Sequence, residues 1–344
     1  MDIKSKRIAI LSPVAWRTPP RAYGAWETVA SNITEGLITR GWKNVTLFAT
    51  KDSITKARLV GWIEKGYEED KNQVPLVSTC LHISKAMELA DQFDLIHNNF
   101  DYLPLTYLPF IKTPMLTTIH GFSEPDILRV YHEHKDSYYV SISDSDRDPD
   151  LPYLATVYNG IDLSNLKFRE KSGDKLVHYG RIHNDKGTHL AIEAAKKAKM
   201  DLIIAGIIQD QKYFDKQVKP HLNQSSIRYI GPVNPVQRDE LLKQAYAVLH
   251  LNTIPERFGL VMAESMAAGV PVIAMDLGSC REVIADKQTG FLVNSVDEAA
   301  EVIGKIYLID RKNCRKHAEE NFSINRMVEN YEKVYKMIFE KTQK

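Results

Sequence analysis

Short apolar runs alternate with stretches of helical periodicity along nearly the whole chain, and that alternation leaves few folds open. Arg7 to Leu11 and Val45 to Ala49 read as strands, and Glu27 to Arg40 between them has an amphipathic helical pattern that Gly41 stops. That is a βαβ unit. Phe93 to His97, Met115 to His120 and Tyr138 to Ser143 are further strands, each ending in polar residues. The alternation resumes with the strand Lys175 to Tyr179 and the helix Thr188 to Ala198. Strands Asp201 to Gly206, Ser226 to Gly231, Ala247 to Leu251 and Pro271 to Met275 follow, with helical intervals such as Gln237 to Ala245. The pattern predicts an α/β protein of doubly wound, Rossmann-like sheets.

At 344 residues the chain exceeds what one core sustains, roughly 250 to 300 residues, so two domains are expected. The polar and charged stretch Asn165 to Asp174 marks the boundary, which gives a first domain over 1–165 and a second over 166–320. Asn321 to Lys344 reads as one amphipathic terminal helix, with Met327, Tyr331, Val334, Tyr335 and Ile338 at helical intervals.

A formal net charge of +1 provides no strong field for nucleic acid or for bulk attraction to an anionic membrane. Cys80, Cys280 and Cys314 are odd in number and lack metal-ligand spacing, which suits a reducing cytosol. The early apolar run Ile8 to Leu11 is too short for a secretory segment and meets Pro13. Tyr102 to Ile111 holds two prolines and falls well short of the roughly 20 residues of a membrane span. A cytoplasmic protein with no transmembrane segment is expected; peripheral association at the inner membrane face stays open.

The stretch Pro255 to Pro271 carries the chemistry. Leu260 to Ala268 is rich in helix formers, Gly269 supplies a stop and Pro271 forbids continuation, so a loop runs into a helix whose entrance amides are those of Phe258, Gly259 and Leu260. Such amides hold anions or hydroxyls. Glu256 lies in the loop and Glu264 on the helix, and ionised carboxylates accept hydrogen bonds only, which suits the hydroxyls of a sugar or ribose. Arg181 and Lys186 stand five apart across a loop off a strand end. The loop Pro19 to Glu27 places Gly24 at a helix entrance, where the missing Cβ lets backbone approach a phosphate. Asp144 to Asp150 contains several Asp-x-Asp spacings, but a Pro-containing acidic run after a strand reads as a solvated turn, and no metal is expected.

The Glu256-x7-Glu264 spacing, the continuation Ala267-Ala268-Gly269-Val270-Pro271-Val272-Ile273-Ala274, and Gly278-Ser279-Cys280-Arg281-Glu282-Val283-Ile284 resemble the retaining glycosyltransferases of family 4. The likeness is dense from Leu176 to Val293 and sparse before that. It implies the GT-B architecture: two Rossmann-like domains, 1–165 binding the acceptor and 166–320 the nucleotide-sugar donor, with the donor in the cleft and a last helix crossing back to the first domain. It further implies that Arg181 and Lys186 hold a diphosphate, that Gly24 and the amides around Ser279 approach it, and that Val233 in Gly231-Pro232-Val233 reads the base. Glu256 grips the sugar, Glu264 the ribose, and His120 in Leu116 to Phe122 lies near the transferred sugar. Ala25 stands where the family usually has a second glycine, which confines the closest approach to Gly24. His97 has no counterpart and is taken as a candidate on the acceptor side.

The activity so implied is metal-independent, retaining transfer of a hexose from a nucleoside diphosphate sugar to a hydroxyl acceptor on a small molecule, glycan or lipid-linked substrate. A UDP-sugar such as UDP-glucose is favoured, then GDP-mannose. A nucleotide-sugar epimerase on the same architecture would add no acceptor, a pyridoxal-type phosphorylase would need a Schiff-base lysine for which there is no motif, and a non-catalytic sugar-nucleotide-binding protein would show neither transfer nor donor hydrolysis.

Overall fold

The computed structural model describes residues 2–121, 125–223 and 225–342. The chain divides into two compact units, one of Met1–Gly160 with Ile324–Lys344, the other of Ile161–Ser323. Each is a parallel α/β sheet flanked by helices.

In the first unit the strands are β1 (Arg7–Leu11), β2 (Asn44–Phe48), β3 (Arg58–Val60), β4 (Leu95–Asn98), β5 (Met115–Ile119), β6 (Tyr138–Ser141) and β7 (Tyr153–Thr156), in the order β3-β2-β1-β4-β5-β6-β7. Among the described residues every strand pairing in this sheet is parallel. The helix Ala25–Thr39 between β1 and β2 buries Val29, Ala30, Ile33 and Leu37 against the sheet, the face its 3.6-residue period provides. The second unit holds β8 (Lys175–Tyr179), β9 (Leu202–Ala205), β10 (Ile227–Tyr229), β11 (Ala245–His250), β12 (Val272–Met275) and β13 (Gly290–Val293), in the order β10-β9-β8-β11-β12-β13. In both sheets the winding reverses beside the first strand, between β1 and β4 and between β8 and β11. Ligands of open α/β sheets bind off the carboxyl ends of strands at such points.

The end of the chain departs from the expected single helix over 321–344. Asn321 belongs to the helix Arg311–Phe322 of the second unit, Ser323 is extended at φ −70° and ψ 151°, and a new helix runs over Ile324–Thr342. Ser323 breaks the run because its backbone leaves helical space. The last helix does return to the first unit, as expected. Met327, Tyr331, Val334, Tyr335 and Ile338 are buried, and Gly36 permits close approach, since a Cβ there would lie 2.5 Å from Val328 Cγ2.

This docking also reassigns His97. Its Nδ1 lies 2.7 Å from the Tyr335 hydroxyl and its Nε2 2.8 Å from Thr118 Oγ1, with no exposed surface. His97 therefore ties the sheet to the last helix, and the acceptor-side candidacy is withdrawn: a ring with both nitrogens engaged in the interior cannot meet a substrate.

Candidate functional site

The second unit builds its site from the loops after β8 and β11. Beyond β8, Asn184–Lys186 forms one 3₁₀ turn, and Gly187 ends it in the left-handed region at φ 62°. A Cβ on Gly187 would stand 1.8 Å from the Leu251 carbonyl oxygen, so only glycine lets this loop press against the residues that follow β11. The Thr253 amide donates to the Asp185 carbonyl at 2.9 Å and stitches the two loops together. Lys186 is thereby delivered to Glu256.

Glu256 is the centre of the cluster. Its backbone pairs with Gly278 in an isolated parallel bridge. Its Oε2 accepts from Lys186 Nζ at 2.5 Å, from Asn252 Nδ2 at 2.6 Å and from His250 Nε2 at 2.8 Å, while Oε1 accepts the Arg257 amide at 3.0 Å. Burial alone would raise this carboxyl; the His250 hydrogen bond and the Lys186 charge overcome it and hold Glu256 well below the usual carboxylate range. It is an ionised acceptor at neutral pH. Asn252 Oδ1 and Ser279 Oγ are buried beside this network with no protein partner among the described residues.

Glu264, on the helix Leu260–Ala267, accepts from Arg238 Nη1 at 2.5 Å and from the Tyr179 hydroxyl at 3.4 Å. Burial pushes its carboxyl above the ordinary value, against the pull of Arg238. The helix begins at Gly259, left-handed at φ 82°, where a Cβ would meet Met262 Cε at 2.4 Å. Leu260 is half-buried at the entrance, and the Phe258 ring is buried against Phe322, centroids 5.6 Å apart, so only the backbone of Phe258 is suited to a ligand.

The structure thus brings Lys186 and Glu256 together and gives Arg181 a different neighbour, since its Nη1 donates to Gln209 Oε1. The Ser279 amide, expected at a phosphate, already donates to the Glu256 carbonyl at 3.0 Å. Its buried hydroxyl is the group left over. Val233 lines an open cavity of about 350 Å³ with Arg228, Pro232 and Gln237; none of the Glu256 partners lines it.

In the first unit Gly24 caps the helix Ala25–Thr39 at φ 145°, and its carbonyl accepts from the Thr28 amide at 2.9 Å. Beneath it Glu27 is buried and accepts the Trp16 amide at 3.2 Å; burial raises its carboxyl to about 7. His120 is buried under the Trp26 ring, with centroids 5.5 Å apart and planes at 24°, and Nε2 lies 3.2 Å from Asn99 Oδ1. Burial lowers it to about 3, so it is neutral and Nε2 carries the proton toward Asn99. Phe122, quoted in the same motif, lies outside the described residues. In the acidic run, Asp148 and Asp150 bring one ligand atom each within 4.8 Å of His132, and the Asp148 carboxylate lies 3.2 Å from the His132 ring.

Sequence reasoning missed His250, Asn252, Arg238 and Tyr179. His250 ends β11 inside the apolar run Ala247 to Leu251, and a histidine at a strand's carboxyl end beside the winding reversal was the available signal.

Comparison with known proteins bears on the second unit directly. Residues 165–322 match the family model Glycosyl transferases group 1. Glycogen synthase of Mycobacterium tuberculosis (strain ATCC 25618 / H37Rv) is 29% identical over 212 residues, covering 53% of this chain and 51% of that protein. The chain spans about half to three fifths of the length of the first curated relatives it matches. Sucrose-phosphate synthase (tll1590) of Thermosynechococcus elongatus superposes with a TM-score of 0.78 at 17% identity, over 97% of this chain and 99% of that one. Anabaena Alr3699/HepE, solved in complex with UDP-glucose, gives 0.73 at 18% identity over 96% and 100%. The fold is that of GT-B glycosyltransferases, as the sequence led us to expect. Among the described residues no helix is long and apolar enough to cross a membrane.

Proposed function

We propose that this protein is a retaining, metal-independent glycosyltransferase that moves a hexose from a nucleoside diphosphate sugar to a hydroxyl acceptor. The observation that carries the reading is the Lys186–Glu256 pair, held with His250 and Asn252 at the winding reversal of a unit matched by the group 1 family. A cation for phosphate and an ionised, hydrogen-bond-accepting carboxylate for hydroxyls stand side by side there. UDP-glucose, bound by the Anabaena relative, is the first donor to test.

The difficult step is loss of the nucleoside diphosphate as an oxocarbenium-like sugar forms. Lys186 and Arg181, with the entrance amides at Gly259 and Leu260, stabilise charge growing on the leaving oxygen, a preorganised effect worth several kcal/mol in such sites. Glu256 holds sugar hydroxyls and Glu264 the ribose. Retention follows front-face attack, with the phosphate taking the acceptor proton. The first unit receives the acceptor. Neutral His120, its Nε2–H directed to Asn99, offers Nδ1 as an acceptor for a hydroxyl.

Titration calorimetry with UDP, UDP-glucose, GDP and GDP-mannose tests the assignment. Lys186→Ala is expected to weaken nucleoside diphosphate and donor alike, whereas Glu256→Ala impairs the sugar donor far more than the bare nucleotide. Equal losses for both ligands in the Glu256 variant would remove it from the sugar site.

A further inference from the structure

Glu256 Oε2 has more donors than it can serve well. Lys186 Nζ, Asn252 Nδ2 and His250 Nε2 converge on it at 2.5, 2.6 and 2.8 Å, while a carboxylate oxygen offers about two lone-pair sites. Two of the three cannot withdraw: His250 and Asn252 are 5% and 1% exposed and lie at or just beyond the end of β11. Lys186 can. Its side chain is 22% exposed, and its ammonium is carried on a flexible four-carbon stem from the loop after β8.

We propose that Glu256 is a built-in competitor for Lys186, with His250 and Asn252 as positioning residues that keep its carboxylate aimed when the ammonium leaves, so that the site prefers a nucleoside diphosphate sugar to the bare nucleoside diphosphate. The proposal rests on the donor reading above. Diphosphate oxygens that recruit Lys186 must draw it off Oε2. With a bare nucleotide nothing replaces the ammonium, and the ionised carboxylate loses its counter-charge. With a sugar attached, a hydroxyl donates to the lone pair that Lys186 gives up, while His250, Asn252 and the Arg257 amide stay in place. The exchange moves one ammonium between two anions and transfers no proton. Its consequence is that the nucleoside diphosphate left after transfer is held less firmly than the donor that delivered it, which speeds product release.

The test is calorimetric titration of the full chain with UDP, GDP, ADP and dTDP and with their glucose or mannose conjugates. Glu256→Gln, which keeps the shape and removes the charge, is expected to bind the bare nucleoside diphosphate about five- to ten-fold more tightly than the native protein, a coupling of ordinary size for neighbouring groups. The gain disappears in a Lys186→Met background. His250→Ala narrows the preference for the sugar conjugate, and His250→Gln, which supplies an amide donor, restores it. A Glu256→Gln protein that binds the bare nucleotide no more tightly than the native one overturns the proposal, as does a gain that survives loss of Lys186. A native protein that binds none of these nucleotides overturns the donor reading itself, and this inference with it. Should Glu256→Gln fail to fold, a crystal of the native protein with the bare nucleotide decides the matter. Lys186 Nζ on a phosphate and beyond about 4 Å of Oε2 supports the exchange, and an intact ion pair beside a bound phosphate refutes it.

Discussion

Arg238 and Glu264 face each other at 2.5 Å with side chains only 18% and 13% exposed, and Arg238 Nε has no partner among the described residues. Breaking such a pair from one side leaves a poorly hydrated charge behind. Arg238→Met is therefore expected to cost about 2–3 kcal/mol in denaturant unfolding; a loss below about 0.5 kcal/mol, the range of an ordinary surface change, would show that Glu264 does not depend on it. This pair also marks where the sequence fell silent. The two glutamates and Lys186 were legible because each falls in a short motif that resembles a known family. Arg238 reaches Glu264 from another helix, 26 residues away in the chain, and His250, though only six residues from Glu256, is disguised by the apolar strand it ends. Such partnerships are made by the fold, which alone turns these side chains toward the glutamates.

At the scale of the element, the turn after β8 depends on one backbone conformation. Gly187→Ala would place a methyl 1.8 Å from the Leu251 carbonyl in a left-handed turn, so either the loop or the end of β11 must move. The expected result is a loss of more than about 2 kcal/mol in stability, accompanied by weaker nucleoside diphosphate binding as Lys186 shifts. A variant that melts and binds like the native protein would show the loop to be more pliable than its geometry implies. Elements with one clean apolar face were read correctly, as Ala25–Thr39 and Thr188–Ala198 illustrate. The helix Pro75–Glu88 was not, because Leu76 and Val77 sit on its solvent side, 65% and 63% exposed, and blur the period. β3 escaped notice because it is a three-residue edge strand opening on Arg58. The break at Ser323 was hidden by helix-forming residues on both sides of it.

For the molecule as a whole, buried titratable groups set the response to acid. Burial lowers His82 and His178 to about 4 and His97 and His120 to about 3. Below the ordinary histidine value the unfolded chain takes up four protons that the native one refuses, so stability falls with pH. Burial raises Glu27 to about 7 and Asp101 to about 6, and these retain protons in the native state that the unfolded chain releases, which opposes the trend in the same window. The four histidines outnumber the two carboxyls, so near pH 5 the net slope keeps the sign set by the histidines. Urea midpoints are expected to fall steeply from pH 6.5 to 5; a flat or rising profile would mean that these histidines are hydrated in the native protein. The return of the last helix to the first unit also has a consequence for biosynthesis. The second unit is one uninterrupted segment, whereas the first must wait for Tyr331 and Tyr335 before His97 and Thr118 find their partners. At roughly 5–20 residues per second that delay is on the order of ten seconds or more, during which a nearly finished sheet stands open to chaperones.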